Sequence, residues 1–243
     1  LIAEPGEIPI LFRDQHFIAI DKPSGLLSQP NPNRDGGSIL NRLIGMGIEL
    51  KGGEDPARQG LIHRLDRDTS GVLLVSLTQE AYEKFQGLFK TRTISKTYHF
   101  PAFGRLKRME FTRKDPLGRH PVRRTTRQVD PEGREAETHF KLIKMGLKNY
   151  SFWEAHPKTG RTHQIRVHAQ EGGLTILGDP SYGIQNQVSK NKELNITHTM
   201  LHCRSLEFTH PITGEQHCIE AEYPEDFKKC LSALDLEDEV STS

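Results

Sequence analysis

The sequence predicts an α+β fold, and three observations carry that prediction. Apolar runs of strand length recur along the whole chain, stretches with helical spacing separate only some of them, and the breaks between are rich in Gly, Pro, Asn and Asp. At 243 residues, with 34% hydrophobic and 27% charged side chains, there is enough chain for one large domain or two small ones around a real core.

Residues Ile8 to Asp21 place apolar runs on either side of a polar turn at Arg13-Asp14-Gln15-His16, so two hairpin-joined strands are expected. Lys22-Pro23-Ser24-Gly25 stops the second strand, because proline has no N–H for a ladder and Gly25 supplies a turn. Beyond a loop over Ser28 to Gly37, Ile39, Leu40, Leu43 and Ile44 fall at helical spacing. Val72 to Val75 reads as a buried strand, and Thr78 can cap a helix whose Ala81, Tyr82, Phe85, Leu88 and Phe89 share a core-facing side. Ser95 to Phe103 reads as a strand. Between Arg105 and Arg127, the breakers Pro116, Gly118 and Pro121 favour a long loop or a twisted hairpin over a helix. Strands are expected at Glu135 to Lys144 and Tyr150 to His156, then a helix capped by Thr162, partly buried through Ile165, Val167 and Ala169 and ended by Gly172-Gly173. Ser189 to Lys192 reads as a polar loop, Leu201 to Phe208 and His217 to Glu222 as closing strands, and the acidic end from Leu234 as a frayed tail.

The net formal charge is only +1, but the charges are unevenly placed. Arg105 to Arg127 carries nine basic residues, Arg123 and Arg124 among them, opposed only by Glu110 and Asp115, whereas from Glu215 onward acids dominate. A polyanion would meet the first region and avoid the second. Taken alone, the basic run is either a solvated insertion or an arm that grips phosphates. No apolar run approaches the roughly 20 residues that span a bilayer, and no secretion signal is visible, so no membrane association is expected. Cys203, Cys218 and Cys230 are odd in number without Cys-x-x-Cys spacing, which favours free thiols in a reducing, cytoplasmic compartment.

The densest chemistry lies in His63-Arg64-Leu65-Asp66-Arg67-Asp68-Thr69-Ser70-Gly71, a polar cluster at the mouth of the Val72 strand. A solvated loop whose Asp and Arg side chains merely pair with each other is the alternative. The motif resembles the signature of the RluA-type pseudouridine synthases, and other matches follow in the family's order: Asp21-Lys22-Pro23-Ser24-Gly25, Lys96-Thr97-Tyr98, and Lys158 to His168 with Gly178-Asp179-Pro180 and Tyr182. The likeness runs from about Ile10 to Ala221.

The resemblance implies a mixed, mostly antiparallel central sheet flanked by helices and loops, and an enzyme that isomerises uridine within structured RNA, transfer or ribosomal. That reaction extracts the nucleotide from its stack, breaks the base-to-ribose bond, turns the uracil and rejoins its carbon 5 to the sugar, with no cofactor and no metal. By the same likeness Asp66 is the essential carboxylate, Arg166 the guanidinium that pairs with it and keeps it ionised, Tyr98 the ring that stacks on the target base, and Arg64 a residue helping to fill the space the base leaves. Arg123 and Arg124 are the expected phosphate contacts, which makes RNA the partner; no obligate protein partner is implied and a monomer is expected. The domain reading is an arm at 1–9, a catalytic domain at 10–231 and an acidic tail at 232–243. Many relatives carry a small RNA-binding domain before the catalytic one, and with so little before Ile10, target choice is expected to rest on the chain's own loops. Two rivals remain at this stage: a catalytically silent RNA-binding module on the same scaffold, and a glycosidase that releases free uracil. A zinc site from His198, His202 and Cys203, or from His163 and His168, is disfavoured by spacing. No glycine-rich nucleotide loop is present, and the Lys158-Thr159-Gly160 tripeptide lacks the upstream Ser-x-x-Lys of penicillin-binding enzymes.

Overall fold

A computed structural model describes residues 1–31, 35–104, 106–183 and 188–237. Arg105 at the head of the basic segment, residues 32–34 of the first loop, and Asp238 and Glu239 of the acidic end lie outside the described residues. In chain order the elements are β1 (Ile10–Arg13), β2 (Phe17–Lys22), α1 (Ile39–Gly45), β3 (Ser70–Ser76), α2 (Gln79–Thr91), β4 (Ser95–Phe103), β5 (Glu110–Arg113), β6 (Leu117–Arg119), β7 (Arg127–Val129), β8 (Thr138–Met145), β9 (Tyr150–Pro157), α3 (Gln164–Glu171), β10 (Thr175–Ile176), α4 (Val188–Glu193), β11 (His202–Thr209), β12 (Gln216–Glu220) and α5 (Glu225–Ala233). The class is α+β, with mixed but mostly antiparallel pairing, as the resemblance implies. The described chain divides into two compact units, one of residues 1–95 and 203–222, the other of residues 96–202 and 223–243.

The first unit is built on β2 and β3, antiparallel from Phe17 opposite Ser76 to Lys22 opposite Gly71. Their apolar runs do not alternate because both faces are covered; Phe17, Ile18, Ala19, Ile20 and the whole of β3 are buried. β1 joins through the expected turn, where the Asp14 carboxylate accepts from the N–H groups of His16 and Phe17 at 2.7 and 2.8 Å. β11 lies beside β3 and pairs antiparallel with β12. Gly71, at φ 106°, permits that approach: a Cβ there would stand 2.1 Å from the Cys203 carbonyl oxygen. In α2 the Thr78 hydroxyl accepts from Ala81 N–H as expected, and Ala81 and Phe85 are its buried positions. Cys203 is buried and Cys218 exposed on β12; neither is in a disulfide.

The second unit orders its strands β4-β9-β8-β5, and β10 pairs antiparallel with β4. β4 and β9 run antiparallel, Tyr98 opposite Ala155 and Phe100 opposite Trp153. The basic segment resolves into β5, which joins the sheet, and a separate two-stranded ribbon of β6 and β7, Leu117 opposite Val129 and Arg119 opposite Arg127. Of the long loop and the hairpin that the sequence allowed, the hairpin is the one present. Its tip is fixed by His120, whose Nδ1 accepts from the N–H groups of Val122 and Arg123 at 3.2 and 3.0 Å.

Three local expectations are corrected. Thr162 does not cap α3: the cap position is His163, in the left-handed region at φ 58°, and the Gln164 N–H, which a Thr162 cap would take, donates to the Arg161 carbonyl at 3.1 Å. Ser189 to Lys192 lies in the short helix α4. The end does not fray from Leu234, because Leu234 and Leu236 are buried with Phe227, Cys230 and Leu231 of α5, a helix the acidic composition concealed.

Candidate active site

Asp66 lies in the turn that feeds β3, and the main chain around it is held at every step. The Leu65 carbonyl accepts from Ser28 Oγ at 2.8 Å, and Ser28 Oγ accepts in return from Leu65 N–H at 3.1 Å. The Asp66 carbonyl accepts from Thr69 N–H at 3.1 Å. Those of Arg67 and Thr69 accept from Lys22 Nζ at 2.9 and 2.8 Å, and that of Asp68 from Ser24 Oγ at 2.9 Å. Five consecutive carbonyls are thus satisfied inside the protein, three of them by the Lys22 to Ser24 motif. A turn so constrained presents its side chains in one arrangement, which a reacting carboxylate requires.

Lys22 makes this possible at an electrostatic cost. It is fully buried at the end of β2, its third N–H donates to the Pro23 carbonyl at 2.9 Å, and burial pushes its ammonium down to about 7 while Asp68 and Asp66 pull it upward. The sequence offered a signal for this role, a lysine closing the run Phe-Ile-Ala-Ile-Asp-Lys where a core strand has little use for a charge.

The other polar residues of the turn divide by task. His63 is structural: its Nε2 accepts from the Leu74 N–H of β3 at 3.0 Å and its ring stacks on Phe89 of α2 with centroids 4.9 Å apart. Gln86 of α2 adds a bond from its side-chain N–H to the Ile62 carbonyl at 2.6 Å. Arg67 and Asp68 pair with each other at 2.9 Å, the outcome expected of a solvated loop. Asp66 is half-buried, and Arg64 is exposed.

In the second unit, Arg166 projects from α3 and is buried, only 8% exposed. Its Nε and Nη2 donate to the two oxygens of Asp179 at 2.6 and 2.8 Å, a bidentate pair that fixes the plane of the guanidinium. Asp179 Oδ1 also accepts from the N–H groups of Ser181 and Tyr182. The likeness drew attention to Asp179 only as part of a motif; the geometry makes it the orienting partner of Arg166. α3 is aimed from its start by Gln164, whose side-chain oxygen accepts from Thr159 Oγ1 and Arg161 N–H while its nitrogen donates to the Glu137 carbonyl and Thr138 Oγ1. Tyr98 is buried on β4, and Lys96, two residues earlier on the same face, donates to the Thr159 carbonyl at 3.4 Å.

Arg123 and Arg124 stand exposed at the ribbon tip beside Val122, and the described residues provide neither with an ion-pair partner. Not all of the basic segment is available in this way. Arg108 donates to the Gly172 carbonyl and lies over the Phe111 ring, Arg113 pairs with Asp115, and Lys114 with Glu137. The histidines weighed as zinc ligands have other partners: His168 bonds Thr138 Oγ1 and the Asp115 carbonyl, with burial lowering its pKa, and His198 pairs with Asp226. Among the described residues no helix is long and apolar enough to cross a membrane.

A family model described as RNA pseudouridylate synthase matches residues 16–171. An uncharacterized RNA pseudouridine synthase of Synechocystis is 35% identical over 96% of this chain and 71% of its own length. Ribosomal large subunit pseudouridine synthase D of Pseudomonas aeruginosa is 33% identical over 96% of this chain and 73% of its own. Among solved structures, human RNA Pseudouridylate Synthase Domain Containing 4 superposes with a TM-score of 0.73 at 24% identity, covering 95% of this chain and 94% of that one, which shows the fold. The chain belongs to the RNA pseudouridylate synthase family, and within it to the RluA type. It is an isomerase that turns uridine in RNA into pseudouridine.

Proposed function

We propose that Asp66 supplies the anionic oxygen at the reacting nucleotide, with Tyr98 stacked on the target uracil and Arg166 as the guanidinium that keeps the carboxylate ionised. The observation that carries this reading is the run of five internally bonded carbonyls from Leu65 to Thr69, a rigidity that a mere surface loop has no use for. The reaction balances without any cofactor: the bond from C1′ to N1 breaks, the uracil turns, C1′ joins C5, and the hydrogen leaving C5 is matched by a proton on N1. Arg64 helps fill the place of the extruded base, and Arg123 and Arg124 contact phosphates.

Ribosomal RNA is the substrate class we assign first, supported by the names of relatives such as those of Pseudomonas aeruginosa and Nitrosomonas europaea, with transfer RNA the alternative outcome. A cytoplasmic, monomeric enzyme acting on RNA alone belongs to the same reading, supported by three cysteines outside any disulfide. So does a catalytic region of 10–231 between an arm at 1–9 and an acidic end at 232–243, whose Leu234 and Leu236 pack back on α5. Mapping pseudouridine in total RNA from cells with and without the gene identifies the target. With that RNA in vitro, Asp66→Asn is expected to fold, bind and form no pseudouridine; retained activity removes Asp66 from its role, and free uracil as product favours a glycosidase.

A further inference from the structure

Tyr182 belongs to no role assigned above, yet it touches both the ribbon and the guanidinium of Arg166. Its Oη accepts from the N–H of Arg127, the first residue of β7, at 2.7 Å. The same oxygen is hydrogen-bonded to His163 Nδ1 at 2.9 Å, immediately before α3. Its ring lies under Arg166, with the guanidinium carbon 5.0 Å from the centroid, within reach of a cation–π attraction. Its N–H donates to Asp179 Oδ1 at 3.0 Å, the carboxylate that grips Arg166. The ring is buried with Leu117, Ala136 and Val167, against which Val129 also packs, so both strands of the ribbon rest on it.

We propose that Tyr182 is a positioning residue that couples RNA contact at the tip of the β6–β7 ribbon to the placement of Arg166. Arg124 lies three residues from Arg127, and the tip between is bonded to itself through His120 and through Thr126 Oγ1 to the Arg123 carbonyl. A phosphate pulling on Arg123 or Arg124 therefore moves β7 as a body. β7 transmits that movement to the Tyr182 hydroxyl, and the phenol ring and Asp179 pass it to the guanidinium. His163, held at φ 58°, is the second route into α3. RNA bound along the ribbon is thereby converted faster than RNA bound without it.

This rests on the catalytic reading of Arg166 and the phosphate reading of Arg123 and Arg124, and the test separates the two levels. Tyr182→Phe keeps the ring and removes only the hydroxyl. At saturating enzyme in a single turnover it is expected to convert bound RNA about tenfold more slowly, within the range of the two hydrogen bonds the hydroxyl makes, with affinity changed less than about twofold. Replacing Arg123 and Arg124 by Ala should slow bound RNA in the wild type but no further in the Tyr182→Phe background. His163→Asn, whose side chain tolerates the left-handed backbone, breaks the link from the other end and should reproduce the loss if Tyr182→Phe folds poorly. Multiplying losses, or a Tyr182→Phe defect confined to affinity or melting temperature, overturn the coupling. If Asp66→Asn is inactive while Tyr182→Phe converts bound RNA like the wild type, the coupling alone fails; if Asp66→Asn is active, the catalytic reading fails with it.

Discussion

The side chain of Lys22 concentrates the physics of this protein. It occupies a site with no solvent, gives three hydrogen bonds to main-chain carbonyls, and has its ammonium pushed to about 7 from an ordinary 10.5. Between those two values the unfolded chain holds a proton that the folded chain has released. Stability contributed by this group therefore rises with pH across that window, and the cost of keeping it charged is fully present below it. Lys22→Met should flatten the pH dependence of urea unfolding by up to about 1.4 kcal/mol per pH unit between pH 7 and 10; a difference spectrum of stabilities that stays constant with pH would show that Lys22 does not titrate there. The buried pair of Arg166 and Asp179 answers to a different rule. Asp179→Asn removes the carboxylate that holds both Nε and Nη2 of a buried guanidinium, and is expected to lower stability by about 3–5 kcal/mol in urea titration. Motif likeness made Arg166 legible in the sequence, but not Asp179 as its partner, because the two stand thirteen positions apart and meet only in the folded chain.

Among the elements, β2 and β3 were legible because an unbroken apolar run has one stable use, a strand covered on both faces. α2 was legible from Thr78 and its periodic stripe. α5 was not: Phe227, Cys230 and Leu231 have helical spacing, but Glu225, Asp226, Lys228 and Lys229 around them read as a charged end. The start of α3 misled for a chemical reason, since Thr162 has the right side chain for a cap while the Gln164 N–H it would take is already given to the Arg161 carbonyl. At this scale the most exposed dependency is Gly71. Alanine there meets the Cys203 carbonyl and an unfavourable φ together, so Gly71→Ala should cost roughly 2–5 kcal/mol and separate β3 from β11; native-state hydrogen exchange at Val72 to Val75 would read this as lost protection.

For the molecule as a whole, 33 basic and 32 acidic residues nearly cancel, so attraction to a polyanion has to be local. The composition showed where the positive charge gathers, but only the folded chain shows that Arg108, Arg113 and Lys114 are engaged by their own protein while Arg123 and Arg124 project. Replacing the latter two by Ala is expected to reduce the slope of log affinity against log salt by about 2, measured by filter binding across a salt series; an unchanged slope returns the ribbon tip to a solvated insertion. The family was readable from its motifs, whereas the carbonyl clamp and the Tyr182 hub were not, since both join residues that sequence keeps dozens of positions apart. The three thiols have a practical consequence. Cys203 and Cys230 are sealed away, the latter with its thiol pushed up to about 12, so a maleimide dye should attach at Cys218 alone in the native protein and at all three sulfurs in denaturant. Intact-mass spectrometry reads the adduct number directly, and the unaltered chain thus comes with a single addressable handle for fluorescence.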